Sequence, residues 1–168
     1  IKLEDYLDVI FKKTASLFAT SSMSGALLGG SDENNIQNLY SYGRNLGLGF
    51  QILDDVLDFE GEEHQLGKPI GNDLKNGIMT YPSIIARTKD NNIKSDIEEL
   101  FNSPPKNKET AAKEIVNTIQ NAGYVEESKN KAAKLIESSI KDIKSIDKNN
   151  LYTESLEDLA YYSMNREK

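Results

Sequence analysis

Cysteine is absent from this chain, and histidine occurs once, as His64. The first absence excludes disulfides, thiolate metal centres and cysteine nucleophiles. The second excludes a multi-histidine zinc site. No apolar run reaches the ~18–20 residues that a membrane-crossing helix needs. Basic side chains are outnumbered, 20 Lys and Arg against 27 Asp and Glu, which leaves a formal net charge of −7. That balance argues against nucleic acid or an anionic membrane as the main partner and leaves room only for a local basic pocket. An initiator Met and a signal-peptide pattern are also lacking. Ile1-Lys2-Leu3-Glu4-Asp5 reads as mid-domain sequence, so the expectation is a piece of a longer protein. What remains is a chain of 168 residues, 38% hydrophobic and 28% charged. It has the composition of a soluble globular domain, compatible with a reducing compartment such as the cytoplasm or an organelle.

Apolar residues recur near the 3.6 period through most of the length. Leu3, Tyr6, Leu7, Ile10, Phe11, Ala15, Leu17 and Phe18 predict a helix over 3–28, ended by Gly29-Gly30. Ser31-Asp32 supplies a cap for a second long helix over 34–59. That helix carries Gly43, Gly47 and Gly49, poor helix formers that make sense where something packs or binds close to the backbone. Residues 61–77 read as a polar, glycine-rich connection of the length at which loops are often functional. Further helices are expected over 80–87, 93–101, 108–121, 125–146 and 151–164, with 89–92 and 147–150 as solvated turns. No strand-like alternation stands out. The fold class read from the chain is all-α, a bundle of long antiparallel helices.

The second helix contains Asp54-Asp55-Val56-Leu57-Asp58. On a helix, Asp54 and Asp58 lie one turn apart with Asp55 beside them, and Gln51 precedes Asp54 by one turn. Like charges at this spacing destabilise a helix, and burial among Phe50, Ile52, Leu53, Val56, Leu57 and Phe59 raises that cost. A solvated acidic face is the bland reading of such a stripe. The apolar neighbours on nearly every side favour a buried helix lining a cavity instead. A hard cation shared with a phosphorylated ligand would neutralise the carboxylates. Ten residues after Asp58 comes Lys68, within Gly67-Lys68-Pro69-Ile70-Gly71-Asn72-Asp73. Lys68 could hold a phosphate and Asp73 could add to a metal shell. Lys13-Thr14 on the first helix is too common a dipeptide to signify alone. His64 and Glu62-Glu63 read as exposed loop residues.

Together these pieces resemble the trans-prenyltransferases, the isoprenyl diphosphate synthases. Gly49 to Phe59 is similar to that family's second aspartate-rich motif, and Gly67 to Asp73 to the Gly-Lys…Asp segment after it. Lys13-Thr14 is similar to the upstream Lys-Thr motif, and Thr80-Tyr81-Pro82 to the Thr-x-Pro that opens the next helix. The likeness is specific over residues 10–87 and loose after about residue 95, although the tail from Leu156 to Arg166 is similar to that of longer-chain members. The resemblance implies an isoprenoid synthase fold, incomplete at its N-terminal side, with 1–168 as the C-terminal portion of one domain. It implies Mg²⁺ as cofactor, and an allylic diphosphate and isopentenyl diphosphate as substrates. A homodimer or heteromer through helix packing is implied as well. By position, Asp54, Asp55, Asp58 and Asp73 would form the metal side. Lys13, Thr14, Gln51 and Lys68 would contact diphosphate, with Asp54, Asp55 and Lys68 the catalytic set.

Two departures stand out. The family's first aspartate-rich motif and its upstream basic residues are absent, so this chain alone is expected to be inactive. Ile78 stands two residues before Thr80 where many members carry Lys, and Lys75 is not at the matching position. Some long-chain members share that change, which points toward a long polyprenyl product. A non-catalytic partner subunit is the alternative from another class, but such partners usually lose the aspartates that this chain keeps. A terpene synthase-like enzyme shares the chemistry, and the Gly67-Lys68 loop fits the synthases better.

Overall fold

The computed structural model describes residues 1–60, 70–103, 105–146 and 151–165. Lys68, His64, Glu62-Glu63 and the turn at 147–150 lie outside the described residues. Within them the chain is helical, with no strand. The elements are α1 (Leu3–Ile10), a π-helical turn (Phe11–Ala15), α2 (Ser16–Leu28), α3 (Glu33–Glu60), α4 (Asn72–Lys75), α5 (Tyr81–Lys89), α6 (Asn91–Asn102), α7 (Lys108–Asn121), α8 (Tyr124–Lys144) and α9 (Leu151–Met164).

Caps explain several of the boundaries. Gly30 takes φ 70°, and Ser31 N–H reaches back to the Ala26 carbonyl at 3.1 Å, closing α2. Asp32 Oδ1 accepts the Asn35 N–H at 2.9 Å and starts α3. Asp90 Oδ1 accepts from the N–H groups of Asn92 and Ile93, so the expected turn at 89–92 is a single capping residue between α5 and α6. The chain departs from expectation in two places. The first helix is not uniform: it widens to π geometry at Phe11–Ala15, across Lys13-Thr14. And the connection before Thr80 contains α4, whose start at Gly71 has φ 75°.

Two compact units form. One gathers Ile1–Tyr6 and Ile52–Asn130. Its core is Val56, Phe59, Leu74, Ala86, Ile93, Ile97, Leu100, Ala112, Ile115, Val116, Ile119 and Val125. Each large aliphatic or Phe side chain among them contributes about 1.5–3 kcal/mol by leaving water. The start of α5 is buried here too. Thr80 N–H donates to Ser83 Oγ at 3.0 Å, and Ser83 Oγ donates to the Thr80 carbonyl at 2.9 Å, with Pro82 in the first turn. Ser83→Ala removes both bonds at a fully buried position, and a loss of about 1–2 kcal/mol is expected in chemical denaturation.

The other unit gathers Leu7–Gln51 and, from Lys131, the chain through the last described residue, Asn165. Tyr42, Leu46, Leu48, Ala132, Ile136, Ile140, Ile143 and Ala160 are buried in it. Tyr42 donates its hydroxyl to the Leu156 carbonyl at 2.9 Å, and burial pushes the phenol up to about 12. The π turn and α2 run antiparallel to α3: Gly47 meets Ala15 and, four residues earlier, Gly43 meets Phe18 and Ala19. Gly49 meets Ala132 and Ile136 of α8. All three glycines therefore serve helix packing.

Asp142 of α8 accepts from Asn45 Nδ2 at 3.1 Å, yet partial burial raises its pKa against that bond. A raised native pKa means the folded state binds its proton more tightly than the unfolded state. Stability is therefore lost as pH rises from the ordinary value of 3.8 through the raised one. Asp142→Asn is expected to raise the melting temperature more at pH 7 than at pH 4, as differential scanning calorimetry would show.

Candidate functional site

Residues along α3 fall into one stripe. Gly43 and Gly47 occupy its N-terminal stretch, then Gln51, Asp54, Asp55 and Asp58 follow at helical spacing. Gln51 is 4% exposed, whereas the three aspartates are half-buried. Small residues thus give way to polar ones along a single face.

In the unit that holds Lys13, Thr14 and Gln51, the structure joins two of the three. Thr14 Oγ1 donates to Gln51 Oε1 at 2.7 Å across 37 residues of sequence. The close approach at Gly43 and Gly47 is what lets Thr14 reach that far. Lys13 is exposed on the same π turn. Single-turn π insertions widen a helix locally and recur at functional sites. Nothing in the sequence periodicity announced this one.

In the other unit, two carboxylates of α3 are tied to distant segments. Asp58 accepts the Asp73 N–H at 3.1 Å through Oδ2, and its own carbonyl accepts the Gly71 N–H at 2.9 Å. The Asp58 carboxylate and the Asp73 backbone are therefore neighbours. Gly71 could not be replaced cheaply, since a Cβ there would lie 2.8 Å from Val116 Cγ2. Asp55 Oδ2 accepts the phenol of Tyr6 at 2.6 Å. Burial, reinforced by the Asp55 charge, pushes the Tyr6 hydroxyl well above its ordinary range. Sequence reasoning placed Tyr6 in the core of its helix and missed this bond; the 49-residue separation hid it.

Lys75 ion-pairs with Glu109 at 2.9 Å, and that partner draws the Glu109 carboxyl below its ordinary range. Ile78 is 52% exposed. Lys75 is thus engaged with α7 and does not stand in for the absent lysine at 78.

The carboxylates of α3 are hard oxygen donors of the type that Mg²⁺ prefers. Among the described residues, no group of three or more His, Asp or Glu converges as a metal cage. Mg²⁺ is commonly held by one or two carboxylates with water and substrate phosphates, so a cage is not what its binding demands. On donor chemistry the stripe fits such an ion as one side of a shared site.

A family model described as Polyprenyl synthetase matches residues 1–119. This chain belongs to the polyprenyl synthetase family. It is 31% identical over 166 residues to Solanesyl diphosphate synthase 2, chloroplastic, of Arabidopsis thaliana, covering 99% of this chain and 38% of that protein. It is 38% identical over 163 residues to a Prenyl transferase of Cyanidium caldarium, covering 97% and 49%. The chain thus spans less than half the length of these two curated relatives.

Solved structures of the polyprenyl synthetase type share the fold. The heptaprenyl diphosphate synthase of Staphylococcus aureus superposes with a TM-score of 0.90 at 30% identity, over 100% of this chain and 52% of that one. A polyprenyl synthase of Caulobacter crescentus, complexed with calcium and isoprenyl diphosphate, superposes with a TM-score of 0.81 at 30% identity, over 100% and 51%. The all-α isoprenoid synthase architecture expected from the sequence is the one observed.

Proposed function

We propose that the complete protein is a prenyltransferase that condenses an allylic diphosphate with isopentenyl diphosphate and so elongates a polyprenyl diphosphate. Residues 1–168 are its C-terminal portion, within a single isoprenoid synthase domain. The observation that carries this reading is the α3 stripe, with Gln51 followed by Asp54, Asp55 and Asp58 and with Thr14 bonded to Gln51. Family membership and the Caulobacter neighbour's calcium and isoprenyl diphosphate support it.

Asp54, Asp55, Asp58 and Asp73 hold Mg²⁺ in this reading, and Lys13, Thr14, Gln51 and Lys68 bind the diphosphate. Mg²⁺, when bound, neutralises the charge that develops on the departing diphosphate. In the reaction the allylic C–O bond breaks and the diphosphate leaves with the electron pair. The isopentenyl double bond attacks the allylic carbon, and the released diphosphate takes up the proton whose loss restores a double bond. Asp54, Asp55 and Lys68 form the catalytic set, with Lys68 a point charge on the leaving group. Thr14 donates to the Gln51 carbonyl oxygen and so orients the Gln51 amide. No cysteine or histidine chemistry is required, in keeping with the composition.

Solanesyl and heptaprenyl synthases among the relatives, together with Ile78, support a longer-chain product. A homodimer or heteromer is the proposed assembly. The test is incubation of the complete protein with Mg²⁺, labelled isopentenyl diphosphate and allylic diphosphates of increasing length. A ladder of labelled polyprenyl diphosphates is expected. Failure to consume isopentenyl diphosphate overturns the reading and favours a non-catalytic subunit. The 168-residue chain alone is expected to show no condensation.

A further inference from the structure

Tyr6 is 4% exposed near the start of α1, where its N–H donates to the Lys2 carbonyl at 3.1 Å. Its ring packs edge-on against Tyr81, with centroids 5.9 Å apart and planes at 61°. Tyr81 is itself 6% exposed and lies between Thr80 and Pro82, in the buried start of α5. Backbone and ring are thus both held, and the phenol oxygen occupies a fixed point.

A buried tyrosine hydroxyl needs a hydrogen-bond partner, and a backbone carbonyl would satisfy it. Here the acceptor is Asp55 Oδ2 at 2.6 Å. That distance is typical of an O–H donor on an ionised carboxylate, a bond roughly twice as strong as its neutral counterpart. Asp55 is half-buried, on a helix face shared with two other carboxylates. Of the two partners, the tyrosine is the better anchored by packing. The constraint therefore runs from Tyr6 to Asp55.

We propose that Tyr6 is a positioning residue for the acidic helix: its hydroxyl sets the plane of the Asp55 carboxylate so that the group is preorganised for a divalent cation carrying a diphosphate. The inference rests on the prenyltransferase reading for the identity of that ligand. Tyr6 acts through Asp55 and touches neither cation nor diphosphate. Hydrogen-bond donors behind a metal-binding carboxylate act in this way, and their loss weakens metal affinity with the coordinating groups intact. Tyr81 supplies the wall that keeps the phenol in place, which gives the Thr-x-Pro segment a part in the site beyond starting α5.

A double-mutant cycle on the complete protein tests this, with Tyr6→Phe, Asp55→Asn and the pair. The readout is Mn²⁺ affinity in the presence of inorganic diphosphate, measured by electron paramagnetic resonance of free Mn²⁺, so turnover is not needed. Tyr6→Phe is expected to weaken Mn²⁺ binding roughly tenfold while far-UV circular dichroism is unchanged. The double variant is expected to bind no more weakly than Asp55→Asn, because Tyr6 has nothing left to position. Wild-type affinity in Tyr6→Phe, or independent effects that multiply in the double variant, overturns the proposal. So does a Tyr6→Phe protein that loses helicity, since Tyr6 is then a packing residue. Wild-type protein that binds no Mn²⁺ with diphosphate removes the functional reading itself, and the Tyr6 proposal with it. Wild-type binding with Tyr6→Phe unaffected removes the Tyr6 proposal alone.

Discussion

Replacing Asp54 with alanine in the complete protein is expected to lower prenyl transfer by at least ~100-fold with helix content intact. Asp54 is half-buried in the C-terminal half of α3. Alanine is the best helix former, and its introduction relieves the like-charge pair with Asp58 one turn on, worth a few tenths of a kcal/mol. The scaffold therefore has local reasons to tolerate the change. The proposed chemistry does not tolerate it, because a hard oxygen donor is lost where charge builds on the leaving diphosphate. Steady-state rates with saturating Mg²⁺, read beside circular dichroism, separate the two effects. Near-normal polyprenyl synthesis by Asp54→Ala would remove the metal-site assignment.

Gly43→Ala is the opposite case, a collapse of scaffold rather than chemistry. A Cβ at Gly43 would lie 2.6 Å from the Phe18 carbonyl carbon and 2.8 Å from Ala19 Cα. Both are backbone atoms, so no side-chain rotation relieves the clash. Alanine gains about 1 kcal/mol in helix propensity over glycine. Overpacking at a buried backbone contact costs about 1–3 kcal/mol and sometimes more, so the clash wins. A net loss above about 2 kcal/mol is expected in urea unfolding. Gly25→Ala is the internal control: nothing lies within 4 Å of its Cβ position, and α2 is expected to gain about 0.4–1 kcal/mol. If both glycines responded alike, the close packing of α2 on α3 would be refuted. Because Thr14 reaches Gln51 across the same approach, Gly43→Ala is expected to lower diphosphate affinity as well.

Helix positions were legible because their signals are local. Asp32 and Asp90 cap where their side chains can reach the next turn, and Gly30 stops α2 because its φ is open to it. The π turn at Phe11–Ala15 left no such trace. Its apolar residues keep close enough to the helical period that one extra residue per turn does not disturb the pattern. The α4 turn was hidden for a different reason. It is four residues long, too short for periodicity to register, and is organised by Asp58 from outside its own segment.

The glycines of α3 show where the boundary runs. Their number and spacing announced a close approach, but not whether a helix or a ligand makes it. The answer is Ala15, Phe18 and Ala19 on one side and Ile136 on the other. Lys75 makes the same point: sequence placed it near the missing lysine, and only packing gave it to Glu109.

By itself the sequence determined the long helices, the polar stripe of Gln51, Asp54, Asp55 and Asp58, and the family resemblance, since each depends on residues within a few turns or on motif order. The tertiary structure alone decided that Thr14 serves Gln51, that Asp58 holds the Asp73 backbone, and that Tyr6 holds Asp55. The physical reason is range. A side chain finds partners a turn away by helical geometry, but finds one 37 or 49 residues away only when the packing of whole helices brings it there.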